Sequence, residues 1–338
     1  MSGMFLLKNT GRGKFFRRAA WLLGLLVAGV IVFSFGSGTS QMQEVTTKDE
    51  DDTGACSRTT KAAFTACRLD ADDSYWNAIG NCHNVSDSAA RPECRQQAEA
   101  ARRARRSECA GHREAREDIC DGLGEAPYDP PIDPAQFVDP TQIGMSVAPN
   151  PYFLLIRGRT MIYRKGTVTI SVAVTNQTRE ILGVTCRTVH DVVRDNGKII
   201  EDTTDWYGQD INGNVWYFGE IAQSIEDGIL IGIDGSWTGG VDRAKPGFAI
   251  KRNPVIDDLY RQEFSLNNAE DMAQIVSLTA SATVPAARCN GNCVVTKEFS
   301  PIIPSLLENK YYAPGVGFIL ETEPGSTERL ELVQIIQN

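Results

Sequence analysis

Six cysteines between residues 54 and 124 leave this chain few ways to fold there. They stand at Cys56, Cys67, Cys82, Cys94, Cys109 and Cys120, separated by 11, 15, 12, 15 and 11 residues. The series reads the same in both directions, and each mirrored pair has Ser88 at its midpoint. A helix turns by about 100° per residue, so a step of 11 advances it by a net ~20° and a step of 15 by ~60°. The three cysteines of each half therefore share one helical face. Folding the chain at Ser88 predicts a hairpin of two helices with nested disulfides: Cys56–Cys120, Cys67–Cys109 and Cys82–Cys94. A disulfide draws Cα atoms to roughly 5.5–6 Å, closer than the 8–10 Å usual between packed helices. Ala62, Ala63, Ala66, Ala98, Ala101 and Ala104 permit that approach. Gly80-Asn81 is expected to end the first helix, Pro92 to open the second, and Gly122 and Gly124 to close it. The same axis sets Arg103 opposite Asp73 and Arg106 opposite Asp70. A zinc site would want cysteines two to four residues apart, and this stretch has none. No C-x-x-C-H run supports covalent haem.

Disulfides imply an oxidising compartment, and the N-terminus agrees. Basic residues end at Arg17-Arg18, and an uninterrupted apolar run follows from Ala19 to Phe35. That run is nearly long enough to span a bilayer and only slightly longer than a signal-peptide core. Residues 1–40 therefore read as either a cleaved signal or an uncleaved anchor, with the body outside in both cases. The formal net charge is −9, and residues 1–40 hold five basic and no acidic side chains, so the remainder carries −14. Such a body is not drawn to nucleic acid. The arginine run from Arg102 to Arg106, diluted by Glu99, Glu108, Glu114 and Glu117, reads as a solvated helix face.

The rest divides by composition. Residues 41–53 read as an acidic linker. Residues 125–149, with six prolines, read as a semi-rigid linker in which Asp129, Asp133 and Asp139 serve turns rather than calcium. From residue 150 the apolar period becomes two. Strands are expected at 167–175, 182–194, 198–208, 214–221, 258–266, 273–281, 293–300, 306–313, 316–323 and 328–336. The turns between them include Asp195-Asn196-Gly197, Asn212-Gly213-Asn214, Asn290-Gly291-Asn292 and Pro324-Gly325-Ser326. Cys289 and Cys293 would close the third of these as a hairpin loop. Cys186 is then the odd cysteine, either a buried free thiol or half of a bridge between chains. The predicted fold class is α+β: a disulfide-stapled helical hairpin followed by an antiparallel β-meander, half-barrel or barrel, over 150–338.

Catalytic and cofactor signatures are missing: there is no G-x-S-x-G, H-E-x-x-H, Walker loop or G-x-G-x-x-G. No metal or cofactor is expected. Asp210-Ile211-Asn212-Gly213-Asn214 imitates a calcium loop, but its glycine and glutamate are misplaced, and a tight turn is the simpler reading. His190 is expected to play a cross-strand or surface role. Acids such as Asp202, Asp205, Asp242, Asp257 and Asp258 keep a carboxylate-based hydrolase open as a third reading. The positive signal is aromatic. Trp206, Tyr207, Trp216, Tyr217 and Trp237 cluster in one stretch, and adjacent strand residues face opposite ways. One set fills the core; the other is expected to be exposed or to line a concavity for a ligand or partner.

Two segments carry a resemblance. Asn150-Pro151-Tyr152-Phe153-Leu154-Leu155 opens the β region, and Tyr311-Tyr312-Ala313-Pro314-Gly315-Val316-Gly317 lies near its end. With Gly213 to Glu220 and Gly235-Ser236-Trp237, they resemble a group of secreted bacterial proteins of uncharacterised activity. More distantly, the start Tyr152-Phe153-Leu154 and the end Ala313-Pro314-Gly315-Val316-Gly317 are similar to half-barrel envelope lipoproteins of the LolA and LolB kind. The resemblance implies an acyl-chain-sized concavity, although this chain has no lipobox cysteine. The combined expectation is an exported, non-enzymatic envelope protein whose β domain binds a lipid-like ligand or an envelope or cell-surface protein. A structural or adhesive module without a pocket is the alternative.

Overall fold

The computed structural model describes residues 54–337. The expected signal or anchor and the acidic linker lie outside the described residues. The described residues belong to one compact unit. Two helices come first, α1 (Ala55–His83) and α2 (Arg91–Leu123). They are joined by disulfides Cys56–Cys120, Cys67–Cys109 and Cys82–Cys94, with Cα separations of 5.7, 5.8 and 5.6 Å. Among the alanines expected at the contact, Ala63 and Ala98 are buried, together with Ala71; the others face solvent. No helix among the described residues is long and apolar enough to cross a membrane.

Three details of the hairpin depart from expectation. α1 runs through Gly80-Asn81 to His83, because the Cys82–Cys94 bridge holds that last turn. Arg106 goes to Asp72 rather than Asp70, and Arg102 joins it there: Arg102 Nε and Arg106 Nη2 each lie 2.8 Å from the Asp72 carboxylate. Arg105 pairs with Asp70, and Arg103 with Glu99 on its own helix. The mirror axis sets where Cα atoms meet. Long side chains on the flanks lean toward their own N-termini and select neighbours one or two places off it.

Fifteen strands follow: β1 (Arg159–Lys165), β2 (Val168–Ile181), β3 (Val184–Asp195), β4 (Lys198–Gln209), β5 (Val215–Glu226), β6 (Ile229–Gly232), β7 (Trp237–Thr238) and β8 (Lys245–Ile250). The remainder are β9 (Leu259–Arg261), β10 (Glu263–Phe264), β11 (Met272–Val284), β12 (Ala287–Ser300), β13 (Ile303–Ala313), β14 (Gly317–Thr322) and β15 (Arg329–Gln337). The ladder runs β10-β8-β5-β4-β3-β2-β1-β15-β14-β13-β12-β11-β9, all antiparallel, with β6 and β7 both on β5. It is not a closed ladder, but its two end strands are separated in the chain by Gln262 alone. Gln262 donates its backbone N–H to Asp271 O beside β11 and its amide to Ala249 O on β8, so the sheet curls until its ends meet. Gly247 stands on β8 at this seam because a Cβ there would strike the backbone of Arg261 and Gln262.

Local chemistry explains most turns. Asn196-Gly197, both at positive φ, make the two-residue turn between β3 and β4. Asp210 accepts from Asn214 N, Asn214 Nδ2 and Trp216 Nε1, so the calcium-like sequence is a capped turn. The Cys289–Cys293 bridge forms with Cα atoms 5.5 Å apart, but it does not close a hairpin loop. β11 turns into β12 at Pro285-Ala286, and Asn290-Gly291-Asn292 is a bulge inside β12 between the pairs Ala282↔Cys289 and Ala280↔Cys293. The bridge therefore pins the register of a strand.

Residues 125–149, expected as a linker, lie along the sheet as a strap. Val138 N donates to Gln209 O, Ile211 N to Gln136 O, and Tyr128 Oη to Pro246 O. Ile132 and Phe137 cover a buried cluster of Ile181, Val184, Cys186, Trp206 and Phe218. Cys186 is a buried free thiol inside that cluster, and burial pushes its pKa up. The two segments that carry the resemblance also meet: Pro151 O accepts from Gly315 N at 2.8 Å. Asn150 Nδ2 reaches Gly213 O across the same end.

Candidate functional site

The five aromatics do not form a patch open to solvent. Trp206, Tyr207, Tyr217 and Trp237 are buried, and Trp216 is half-buried. The register explains why neighbours on one strand are both covered. On the outer face of β4 and β5, Trp206, Trp216 and Phe218 lie beneath the strap, with Phe137 6.0 Å from Trp216 and 5.4 Å from Phe218. On the inner face, Tyr207 stacks on Tyr217 at 4.7 Å; Tyr217 meets Trp237 edge-on at 5.4 Å, and Phe153 packs on Tyr207. The strap thus covers the face that the sequence left open for a ligand.

The inner face is not a continuous apolar lining. Asp205 on β4 stands directly across the ladder from Glu220 on β5, and Asp191 on β3 from Thr203 on β4. Glu263 joins them through the seam, and all four carboxyls are buried. Tyr217 Oη donates to Asp205 at 2.6 Å and Trp237 Nε1 to Glu263 at 2.7 Å. Both oxygens of Asp191 and one each of Asp205 and Glu220 have no hydrogen-bond partner. Burial pushes Asp205 up to about 6 and holds Asp191, Glu220 and Glu263 well above the usual carboxylate range.

The facing wall carries a lysine-centred group. Lys310 Nζ on β13 lies 2.8 Å from Glu298 and 3.4 Å from Glu308, and Thr296 and Tyr312 also donate to Glu298. Burial works to raise Glu298, but the Lys310 charge and its hydrogen bond outweigh it and leave Glu298 below its ordinary value. Glu308, penalised first by burial, is pushed up to about 7, and Glu321 lies well above the usual range. Among the described residues no three His, Cys, Asp or Glu side chains converge as a metal site. His190 bonds Asp202 across the β3–β4 pair at 2.7 Å, at the surface.

Among the surface clefts of the described residues are two that none of these interior carboxyls lines. One of about 730 Å³ lies between the strap at Tyr128 to Ile132, Leu182 and the segment Gly240 to Pro246. The other, of about 170 Å³, lies where the hairpin meets the sheet. The remaining surface feature went unread in the sequence. Strand β6 pairs with β5 only, so its other edge is bare. Ile229, Leu230 and Ile231 on it are 67%, 53% and 43% exposed, and Ile233 just beyond is 56% exposed. Glu226, Asp227 and Asp234 bracket this apolar edge and are exposed. A run of four large aliphatics in five residues, bounded by acids, is the signal that marks it. Compared with protein-family models, curated proteins and solved structures, the chain matches none.

Proposed function

We propose that this is an exported, non-catalytic protein of the cell envelope, in keeping with the secreted group it resembles, and that it binds a protein partner by strand addition. The observation that carries this reading is the bare apolar edge of β6. An unpaired edge offers a row of backbone donors and acceptors, and proteins usually blunt such edges with charge, proline or a covering segment. Here Ile229, Leu230 and Ile231 are left in the open. Asp227 is already paired with Lys198 at 2.9 Å, but Glu226 and Asp234, one at each end of the strand, choose the occupant: an extended apolar segment with basic flanks. The disulfides support an oxidising compartment, and such a partner would then be met outside the cytoplasm. A lipid-like ligand has less support, because the inner face carries buried carboxyls where an acyl chain would need apolar lining.

The test uses a synthetic strand peptide of alternating valine and threonine with lysines at both ends, followed by fluorescence anisotropy. Binding should be saturable and should weaken at least tenfold in Ile231→Lys, which adds charge to the exposed edge without touching the core. Equal binding by the variant, or none at millimolar peptide, sinks the strand-addition reading. Near-stoichiometric lipid extracted from the purified protein would favour the apolar-ligand alternative instead.

A further inference from the structure

The cavity of about 170 Å³ at the hairpin–sheet junction is lined by Thr60, Arg116, Ala126, Tyr128, Arg261 and Glu270, among others. It holds two guanidinium groups against one carboxylate. Arg116 and Arg261 are 4% and 8% exposed. Arg116 gives Nε and Nη2 to the two oxygens of Glu270, at 2.9 and 2.6 Å, and Nη2 also to Asn267. Its Nη1 is buried without a hydrogen-bond partner. Glu270 is further engaged by Asn267 N at 2.6 Å. Arg261 lies over the rings of Phe264 and Tyr128, at 4.7 and 5.4 Å, and places Nη1 near the sulfur of Met272. Its Nε is likewise buried and unpartnered. Among the described residues, no carboxylate forms an ion pair with Arg261.

A buried cation without an anion and a buried N–H without an acceptor are both costly, and native structures rarely keep either. Two such donors, on two arginines of one cavity, with a surplus positive charge, define a complementary ligand. It is small, anionic and rich in acceptor oxygens. We propose that this cavity binds an inorganic oxyanion of the phosphate or sulfate class, held by the guanidinium groups of Arg116 and Arg261, which line it. The volume corresponds to roughly five or six waters at ~30 Å³ each, room for such an ion and too little for a nucleotide. Arg116 belongs to α2 and Arg261 to β9, so the bound anion ties the hairpin to the sheet. This site is independent of the β6 edge and stands or falls without it.

The experiment is thermal unfolding of the protein in millimolar phosphate, with sodium chloride adjusted to hold ionic strength constant. Phosphate should raise Tm saturably by a few degrees, since a ligand of the folded state stabilises it by mass action. Sulfate should do the same, and glycerol phosphate shows whether the anionic end of a larger molecule can also enter. Arg261→Gln removes the surplus charge and should abolish the rise. Ala126→Glu, at an exposed position on the cavity rim, supplies the missing carboxylate from within; it should abolish the rise while the protein folds normally. A wild-type Tm that is the same in phosphate and chloride overturns the site. So does a rise that survives undiminished in Ala126→Glu, which decides the matter even if Arg261→Gln fails to fold.

Discussion

Lys310 shows how much one interior residue can carry. It is 1% exposed, with Glu298, Glu308 and Glu321 around it. Breaking a buried pair by removing one partner leaves the other charge uncompensated and costs about 3–5 kcal/mol. Lys310→Met should therefore lower the unfolding free energy measured by urea titration by that order, and adding Glu298→Gln should recover much of the loss, because the orphaned carboxylate is then gone. A single-variant cost below about 1 kcal/mol would mean that Glu298 is neutral in the fold. None of this was legible in the sequence, where Asp and Glu are read as solvated. The aromatics were only half legible. Alternation said correctly that Trp206 and Tyr207 face opposite ways. It could not say that the strap covers the outer one, because Ile132 and Phe137 are isolated apolar residues in a proline-rich stretch.

At the scale of elements, the hairpin was the most readable part, since three covalent bonds with one midpoint leave little freedom. The strands with clean alternation, such as β2, and those bounded by Asn-Gly turns, such as β3 and β4, were also readable. β8 was not, because Pro246 and Gly247 look like a turn; they are tolerated at the seam, where a backbone crosses too close for a side chain. β12 was misread at its bulge, since a three-residue loop between cysteines is the usual mark of a hairpin. The hairpin also offers a test of how far the elements depend on one another. Removing the middle bridge with Cys67→Ala and Cys109→Ala should speed hydrogen exchange in α1 and α2 by tenfold or more. Protection in β2, β3 and β4 should hardly change, because the Cys56–Cys120 bridge and the Arg116–Glu270 contact remain. Equal loss of protection in those strands would show that the hairpin and the sheet unfold as one.

The whole molecule is a curled antiparallel sheet whose interior carries carboxyls on both walls, and this makes its stability a function of pH with a definite sign. For Asp191, Asp205, Glu220, Glu263, Glu308 and Glu321, burial raises the folded pKa above that of the unfolded chain. The folded state then binds more protons than the unfolded one, so each group's contribution is fully present below pH ~4 and is lost as pH rises through its folded value. With Asp205 at about 6 and Glu308 at about 7, the loss from these two should fall between about pH 4 and pH 7. Each proton of difference adds up to about 1.4 kcal/mol per pH unit to the slope. Glu298 acts in the opposite sense: its folded pKa is lowered, so its contribution disappears as pH falls through that value. The two trends together place the stability maximum near the acid side of neutrality. Urea midpoints measured from pH 4 to 8.5 should be highest near pH 4 to 5 and decline above it. Asp205→Asn and Glu220→Gln should each flatten the decline, because an amide of similar shape has no proton to lose. A midpoint that stays level or climbs from pH 5 to 8 would show that these carboxyls keep their charge in the fold. A proton-holding interior would then have to give way to one that compensates negative charge.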